Sequence, residues 1–101
     1  MTGKKYDTDK PRLDLVLGDF ADALQEVGKV GTIGAAKYDD GNWLLVDNAQ
    51  ERYSSAMLRH YFQYKQEPLD CETGLSHLAH VAWNALAVLE LSLNNLGVKD
   101  D

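Results

Sequence analysis

The feature that most constrains the fold is an apolar stretch near the end of the chain, Thr73 to Leu96, which predicts the last and longest helix. His77, His80 and Asn84 lie at positions i, i+3 and i+7, so they share a stripe of roughly 60° on one helix face. Apolar side chains cover most of the remaining surface, and such a helix is buried on more than one face. Buried polar groups need partners, so the imidazoles and the amide are expected to meet neighbouring helices, a metal or a ligand.

Length and charge limit what the chain can be. Its 101 residues predict a single domain over residues 1–101, with an extended arm at 1–12, a last helix ended by Gly97 and a frayed tail at 97–101. A domain this short hides only about two-thirds of its surface, so oligomerisation as a dimer or tetramer is expected to complete the core. The net charge of −6 excludes the basic footprint of a general nucleic-acid or membrane-surface binder.

Cysteine content and hydropathy indicate the compartment. Cys71 is the only cysteine of the sequence, so no internal disulfide can form, which fits a reducing cytoplasm. No segment reaches the roughly 18 uncharged apolar residues of a membrane-spanning helix. The first residues also lack the apolar segment of a signal peptide. Neither membrane insertion nor export is expected.

No strand alternation is found, and the spacing of apolar residues predicts an all-α fold, a small bundle of three to four helices. The first helix is expected to run from Gly18 or Asp19 to about Ala36. The arm before it is expected to dock through Leu13, Leu15 and Leu17. Glycines recur every third residue, at 28, 31 and 34, which either permits a close approach by a helix or ligand or breaks the element near Gly31.

The middle of the chain carries turn and stop signals. Tyr38–Trp43 has the composition of a turn, and Leu44 and Leu45 behind it are expected to point inward. A second helix is predicted over about Ala49–Gln66, ended by Pro68.

The histidines are the first candidate site. A His-x-x-His pair on a helix holds its side chains close enough to share one metal ion or one phosphate. His60 lies on the preceding helix, and antiparallel packing would bring it near His77. Imidazole suits zinc, manganese, iron or nickel better than magnesium. The alternative is that all three histidines are structural, bonded within the bundle.

Carboxylates near helix ends are the second candidate set. Hard cations such as Mg²⁺ need such oxygens together with substrate phosphates, which makes Glu26, Asp70 and Glu72 candidate metal ligands. Asp70 or Thr73 is expected to cap the last helix. Asp70 and Glu72 could instead simply complement the helix dipole, and Glu26 could belong to a solvated helix face.

A third set suits a nucleotide. Lys37, Tyr38, Asn42 and Trp43 offer phosphate charge, base stacking and amide hydrogen bonds within one short segment. Arg59 could add a bidentate phosphate contact. The alternatives are a Trp43 that anchors the core and an Arg59 that pairs with a glutamate on the surface.

Several segments occur in an order that resembles the phage dATP/dGTP diphosphohydrolase family, itself similar to MazG-type all-α NTP pyrophosphatases. The resemblance covers about residues 5–90 and is carried by Tyr6–Leu15, Gly34–Tyr38, Asn42–Trp43, Leu58–His60 and Gly74–His80. It implies a helical, oligomeric, MazG-like enzyme that cleaves a deoxynucleoside triphosphate to the monophosphate and pyrophosphate with a divalent metal. Where MazG-type enzymes carry Glu-Glu-x-x-Glu and Glu-x-x-Asp, this chain has Arg59-His60 and His77-x-x-His80.

The leading hypothesis is therefore a cytoplasmic, metal-dependent dNTP pyrophosphohydrolase with a preference for dATP and dGTP, using Mg²⁺ or Mn²⁺. Its chemistry is assigned to His77 and His80, helped by His60 and Glu72, and Lys10 and Arg12 are expected to cover the site from the arm. The metal set comprises Glu26, Asp70, Glu72, His77 and His80. Two alternatives stay open: a nucleotide-binding module without catalysis, and a structural helical oligomer of a phage.

Overall fold

The computed structural model describes residues 9–96, which form four α-helices and no β-strand. The helices are α1 (Leu13–Asp19), α2 (Ala21–Tyr38), α3 (Ala49–Tyr64) and α4 (His77–Asn95), with a 3₁₀ turn at Asn42–Leu45 between α2 and α3. The all-α prediction is confirmed. Residues 1–8 of the predicted arm, Gly97 and the predicted tail at 97–101 lie outside the described residues.

The leucines predicted to dock the arm lie in a helix, Leu13–Asp19, which starts before the predicted first helix at Gly18 or Asp19. Pro11 restricts only the residue before it, and the leucines that follow are strong helix formers. The helix is interrupted at Phe20, whose backbone (φ −113°, ψ 30°) leaves the helical region, and α2 starts immediately afterwards. The predicted docking is also wrong, because Leu13, Leu15 and Leu17 are all exposed.

Helix α2 passes Gly31 without a break and ends where Asp39 takes a left-handed conformation (φ 80°). At Gly31 an added Cβ would lie 3.4 Å from Nε1 of Trp83 on α4. The Trp83 side chain therefore packs against α2 at this glycine, and the alternative of a break near Gly31 is wrong. Gly28 and Gly34 have no such neighbour within 4 Å.

The turn after α2 places Trp43, and not the two leucines behind it, towards the other helices. Gly41 adopts φ 74° and starts the 3₁₀ turn. Such a turn has about three residues per repeat, so consecutive side chains point in different directions. Trp43 contacts aromatic rings of α3 and α4, whereas Leu44 and Leu45 are exposed. The prediction that both leucines point inward is wrong.

Helices α3 and α4 form an antiparallel pair. Asn95 near the end of α4 donates to Gln50 near the start of α3 at 3.1 Å, and at the opposite ends His77 N–H donates to the Pro68 carbonyl at 2.9 Å. Helix α3 ends at Tyr64, two residues before its predicted end.

The start of α4 differs from the prediction. Gly74 is left-handed (φ 74°), so the segment from Asp70 to Ser76 forms a turn and the helix starts at His77. Ser76 is the N-cap residue, and its hydroxyl accepts a bond from Leu78 N–H at 3.1 Å. Asp70 and Thr73 therefore do not cap α4.

The core is small. In the part of the chain that the structure describes, the buried apolar residues are Val30, Ala79 and Ala87. The radius of gyration is 16.5 Å, against about 13 Å for a compact 100-residue domain. Large apolar side chains on α3 and α4, such as Phe62 and Leu89, remain exposed. The burial of α4 on several faces is therefore not completed within residues 9–96, and the oligomer that would complete it remains a prediction.

No helix within residues 9–96 combines the length and the hydropathy required to cross a bilayer.

Candidate functional site

Three imidazoles meet where α3 ends and α4 begins. His60 Nδ1 and His77 Nδ1 are 2.9 Å apart, a hydrogen bond that needs a proton on one of the two nitrogens. The His60 ring also stacks on His80, with centroids 4.4 Å apart and planes 9° from parallel. The antiparallel packing that the sequence predicts thus brings all three rings together.

Asp70 completes this cluster from the turn before α4. Its Oδ2 accepts hydrogen bonds from Glu72 N–H (3.0 Å), Thr73 N–H (2.8 Å) and the Thr73 hydroxyl (3.2 Å). Its Oδ1 lies 4.0 Å from His60 Nδ1 and 3.9 Å from His77 Nδ1. One oxygen therefore fixes the carboxylate in the turn while the other faces the imidazoles. We call His60, Asp70, His77 and His80 the histidine cluster.

Thr73 links the turn to His80 and was not recognised from the sequence as a site residue. Its Oγ1 lies 2.8 Å from His80 Nε2 and 3.2 Å from Asp70 Oδ2. A hydroxyl has one proton, so Thr73 can donate to Asp70 or to His80 but not to both, and this choice sets the His80 tautomer. The contact depends on the turn geometry around Gly74, which no spacing rule predicts.

Burial and hydrogen bonds shift the pKa values of three members of the cluster. Side-chain exposure is 14% for His60, 15% for Asp70 and 6% for His77. Burial, and then the neighbouring His80, lowers the pKa of His60, and burial lowers the pKa of His80. Burial acts to raise the pKa of Asp70, but its hydrogen bonds from Thr73 and Glu72 outweigh that and leave the pKa below its usual value. The lowered pKa values favour neutral His60 and His80 beside an ionised Asp70.

A cleft of about 1230 Å³ lies between α2 on one side and α3 and α4 on the other. This volume is larger than the roughly 300–1,000 Å³ of most small-molecule pockets. The four candidate residues of the predicted nucleotide segment and Arg59 all line the cleft: Lys37, Tyr38, Asn42, Trp43, Arg59. Glu72 and His80 also line it. His80 is thus shared between the cleft and the histidine cluster, whereas His60, Asp70 and His77 lie behind it.

Three residues predicted for the site lie elsewhere. Arg12 forms a bidentate pair with Asp14 at 3.1 and 2.7 Å, at the start of α1. Glu26 pairs with Lys29 one helical turn later at 2.6 Å, in line with the solvated-face alternative. Neither residue lines the cleft, nor does the exposed Lys10. Their local partners and the helical path of α1 account for these corrections.

Trp43 belongs to an aromatic cluster that forms one wall of the cleft. Its ring meets Tyr53 at 6.2 Å and Trp83 at 5.9 Å, and Tyr53 meets Trp83 edge-on at 5.5 Å. The Tyr53 hydroxyl donates to the Trp43 carbonyl at 2.7 Å, and burial raises the pKa of Tyr53. This geometry supports the core-anchor alternative for Trp43. Tyr53 and Trp83 were missed as site residues, because helical spacing shows only that they are apolar.

The charged groups of the cleft are loosely held. Lys37 Nζ lies 3.7 Å from Glu72 Oε1 and 5.2 Å from the centre of the Tyr38 ring. Tyr38, and then Glu72, raises the pKa of Lys37. Asp39, Asp40 and Glu51 add further carboxylates to the lining. Within residues 9–96, the side chains able to share one metal ion are three members of the histidine cluster, His60, Asp70 and His77. The carboxylates of the cleft do not form such a set.

A family model described as "dATP/dGTP diphosphohydrolase, N-terminal" matches residues 1–101. A curated dATP/dGTP diphosphohydrolase of Salmonella phage PMBT28 is 38% identical over 102 residues, a match that covers 100% of this chain and 33% of the relative. The chain thus spans about a third of the length of that relative. No solved structure matches the chain.

Proposed function

Since the chain belongs to the dATP/dGTP diphosphohydrolase N-terminal family, we propose that it binds a purine deoxynucleoside triphosphate in the cleft and takes part in hydrolysing it to the monophosphate and pyrophosphate. The observation that carries the proposal is that one cleft collects two cations, two aromatic rings and an amide from three separate segments of the chain. The name of the phage relative supports dATP and dGTP as the substrates. Kinship with MazG-type enzymes remains a prediction.

The phosphates are assigned to the cationic side chains. Lys37 at the end of α2 and Arg59 on α3 line the cleft from opposite walls. Arginine presents a planar fork that matches phosphate oxygens, and lysine acts as a point charge. Lys37 would exchange its 3.7 Å contact with Glu72 for a phosphate, which costs little because both side chains are exposed.

The base is assigned to the segment between α2 and α3. The Tyr38 ring is more than half exposed at the cleft, so a purine can stack on it. The amide of Asn42 offers both a donor and an acceptor to a base edge. Trp43 packs against Tyr53 and Trp83, so it would form part of the cleft wall without stacking directly on the base.

A divalent metal, Mg²⁺ or Mn²⁺, would be held by phosphate oxygens of the nucleotide together with one or two carboxylates of the cleft rim. Glu72, Asp39, Asp40 and Glu51 supply exposed carboxylates, the donor type that these ions prefer alongside phosphate oxygens. When bound, such an ion would neutralise phosphate charge and lower the pKa of a bound water.

Contact with the reacting phosphate is assigned to His80, because it is the member of the histidine cluster that lines the cleft. It would accept the proton of an attacking water or donate to a phosphate oxygen. Thr73 at 2.8 Å and the stacked ring of His60 hold its orientation. His60 and His77 are therefore positioning residues in this proposal.

The direct test is pyrophosphate release from each of the four dNTPs in the presence of Mg²⁺, Mn²⁺ or a chelator. We expect release from dATP and dGTP with metal, strongly reduced in Lys37→Ala. The matched control is Lys29→Ala, another exposed lysine of α2 that pairs with Glu26 outside the cleft. No pyrophosphate from any dNTP at high protein concentration would overturn the hydrolase proposal, and equal loss in both lysine variants would overturn the cleft assignment.

A second function, nucleotide binding without turnover, is favoured by one observation. Among residues 9–96, no three carboxylates come close enough to share an ion. Tight binding of a non-hydrolysable dGTP analogue by calorimetry, without product release, would select it. A purely structural role would show no ligand-induced stabilisation, whereas a ligand at 100 times its Kd adds about 2.7 kcal/mol. The cytoplasmic location and the dimer or tetramer also remain predictions.

A further inference from the structure

We propose that His60, Asp70 and His77 form a binding site for one borderline divalent transition-metal ion, best fitted by Zn²⁺, behind the wall of the cleft. Three segments supply the ligands: the end of α3, the turn before α4 and the first residue of α4. The proposal does not depend on nucleotide hydrolysis, because none of the three side chains lines the cleft.

The distances between the ligand atoms carry the inference. His60 Nδ1, His77 Nδ1 and Asp70 Oδ1 are separated by 2.9, 3.9 and 4.0 Å. One point in the plane of that triangle lies about 2.1 Å from all three atoms, a normal distance from zinc to imidazole nitrogen or carboxylate oxygen. A single ion can therefore reach all three side chains without a change in their backbone positions.

The donor set and its shape select the kind of ion. Two imidazoles and one carboxylate suit borderline metals and not Mg²⁺ or Ca²⁺, which favour oxygen. In the facial arrangement typical of non-haem iron, each pair of ligand atoms would be about 3.0 Å apart. Here both distances to Asp70 are near 4 Å, which is a more open triangle. Zn²⁺ has no geometric preference from its d electrons, and small side-chain rotations would bring the three atoms to the tetrahedral spacing it usually adopts, with the fourth position left for water.

The surroundings of the ligands are those of a prepared site. Asp70 Oδ2 is held by three hydrogen bonds from Glu72 and Thr73, so the carboxylate presents Oδ1 to the imidazoles in a fixed orientation. Such outer contacts are the usual means by which proteins orient metal ligands. His77 is 5% exposed. A bound ion would replace the proton between the two Nδ1 atoms and join α3 to α4.

A bound ion would also affect the position of His80 in the cleft. His60 stacks on His80 with centroids 4.4 Å apart, so an ion on His60 Nδ1 would hold the ring against which His80 rests. The ion would also stabilise the fold, because a site assembled from three segments does not exist in the unfolded chain.

The test is metal binding by the protein without nucleotide. Chelator-treated protein is titrated with Zn²⁺ by calorimetry, its metal content is measured by mass spectrometry, and Co²⁺ is added as an optical probe. We expect one ion per chain, a visible absorption band with Co²⁺, and an affinity reduced by about 100-fold or more in Asp70→Asn and His77→Gln, since loss of an outer contact alone costs 10–100-fold. Asp70→Asn retains an oxygen for the amide hydrogen bonds of the turn.

Two matched variants locate the ion. His80→Gln changes the third histidine of the cluster, and Cys71→Ser removes the exposed thiol next to Asp70. Cys71→Ser should bind Zn²⁺ like the unmodified protein, and His80→Gln should still bind one ion, with a smaller loss of affinity than Asp70→Asn or His77→Gln. Loss of the ion in Cys71→Ser, retention of affinity in Asp70→Asn and His77→Gln, or no binding by the unmodified protein would each overturn the site. The measurement on unmodified protein decides the question even if a variant fails to fold.

Discussion

The histidine cluster and the cleft share His80 but are built in opposite ways. In the cluster, Asp70, Thr73 and the imidazoles are joined by contacts of 2.8 to 3.2 Å in largely buried surroundings. In the cleft, the ion pair of Lys37 and Glu72 spans 3.7 Å, and the two side chains are 56% and 78% exposed. The cluster is organised by the fold itself, whereas the cleft has charges that a ligand must organise.

The largest effect is expected from Asp70→Ala, which removes the acceptor of three hydrogen bonds in the turn before α4. Bonds to a charged and largely buried acceptor are the stronger kind, so the free energy of unfolding should fall by about 2–3 kcal/mol. The measurement is urea denaturation in the presence of a chelator, which separates the turn from any metal.

The control for that variant is Glu72→Ala, a neighbouring carboxylate that is 78% exposed and belongs to the cleft. It should leave stability almost unchanged. If the two variants cost the same, the cluster is no better organised than the cleft, and the comparison fails.

A smaller effect is expected from Arg59→Ala in the cleft. If the guanidinium meets a phosphate, its removal should weaken a non-hydrolysable dGTP analogue about tenfold, the low end for a charge-assisted hydrogen bond. Stability should barely change, because Arg59 is exposed. Calorimetry of nucleotide binding and a denaturation curve check the two parts separately.

The matched control is Arg12→Ala, an exposed arginine that pairs with Asp14 on α1. The structure places it outside the cleft-lining residues, so affinity should not change. An equal loss in Arg12→Ala would restore the sequence-based hypothesis that the arm covers the site, and would require a contact that residues 9–96 of one chain do not make.

The sequence predicted the helices better than it predicted how they start and what they expose. Periodicity located α3 and most of α4, and antiparallel packing was enough to bring His60 to His77. The prediction that Asp70 caps α4 was wrong, because a carboxylate that accepts bonds from two backbone amides of a turn has the same sequence signature as a helix cap. The prediction that Leu45 points inward was wrong for a related reason, since apolar character does not show which way each side chain of a 3₁₀ turn points.

The residues of the site were also predicted only in part. Residues adjacent in sequence, Lys37 to Trp43, were predicted to act together and do line one cleft. Thr73 was missed, because its contact with His80 spans a left-handed glycine. Arg12 and Glu26 were included on residue type alone. Their partners, Asp14 and Lys29, lie close in sequence and satisfy them locally.

The smallest expected effect concerns the glycines of α2, which forms the outer wall of the cleft. Gly28→Ala should raise the free energy of unfolding by about 0.5–1 kcal/mol, because alanine is the better helix former and an added Cβ meets nothing within 4 Å. Gly31→Ala should gain less, since its Cβ would lie 3.4 Å from Trp83 Nε1. Thermal and urea denaturation of both variants give the comparison. A destabilised Gly28→Ala would mean that another surface packs on α2 at this glycine, and the cleft would then be less open than residues 9–96 of a single chain make it.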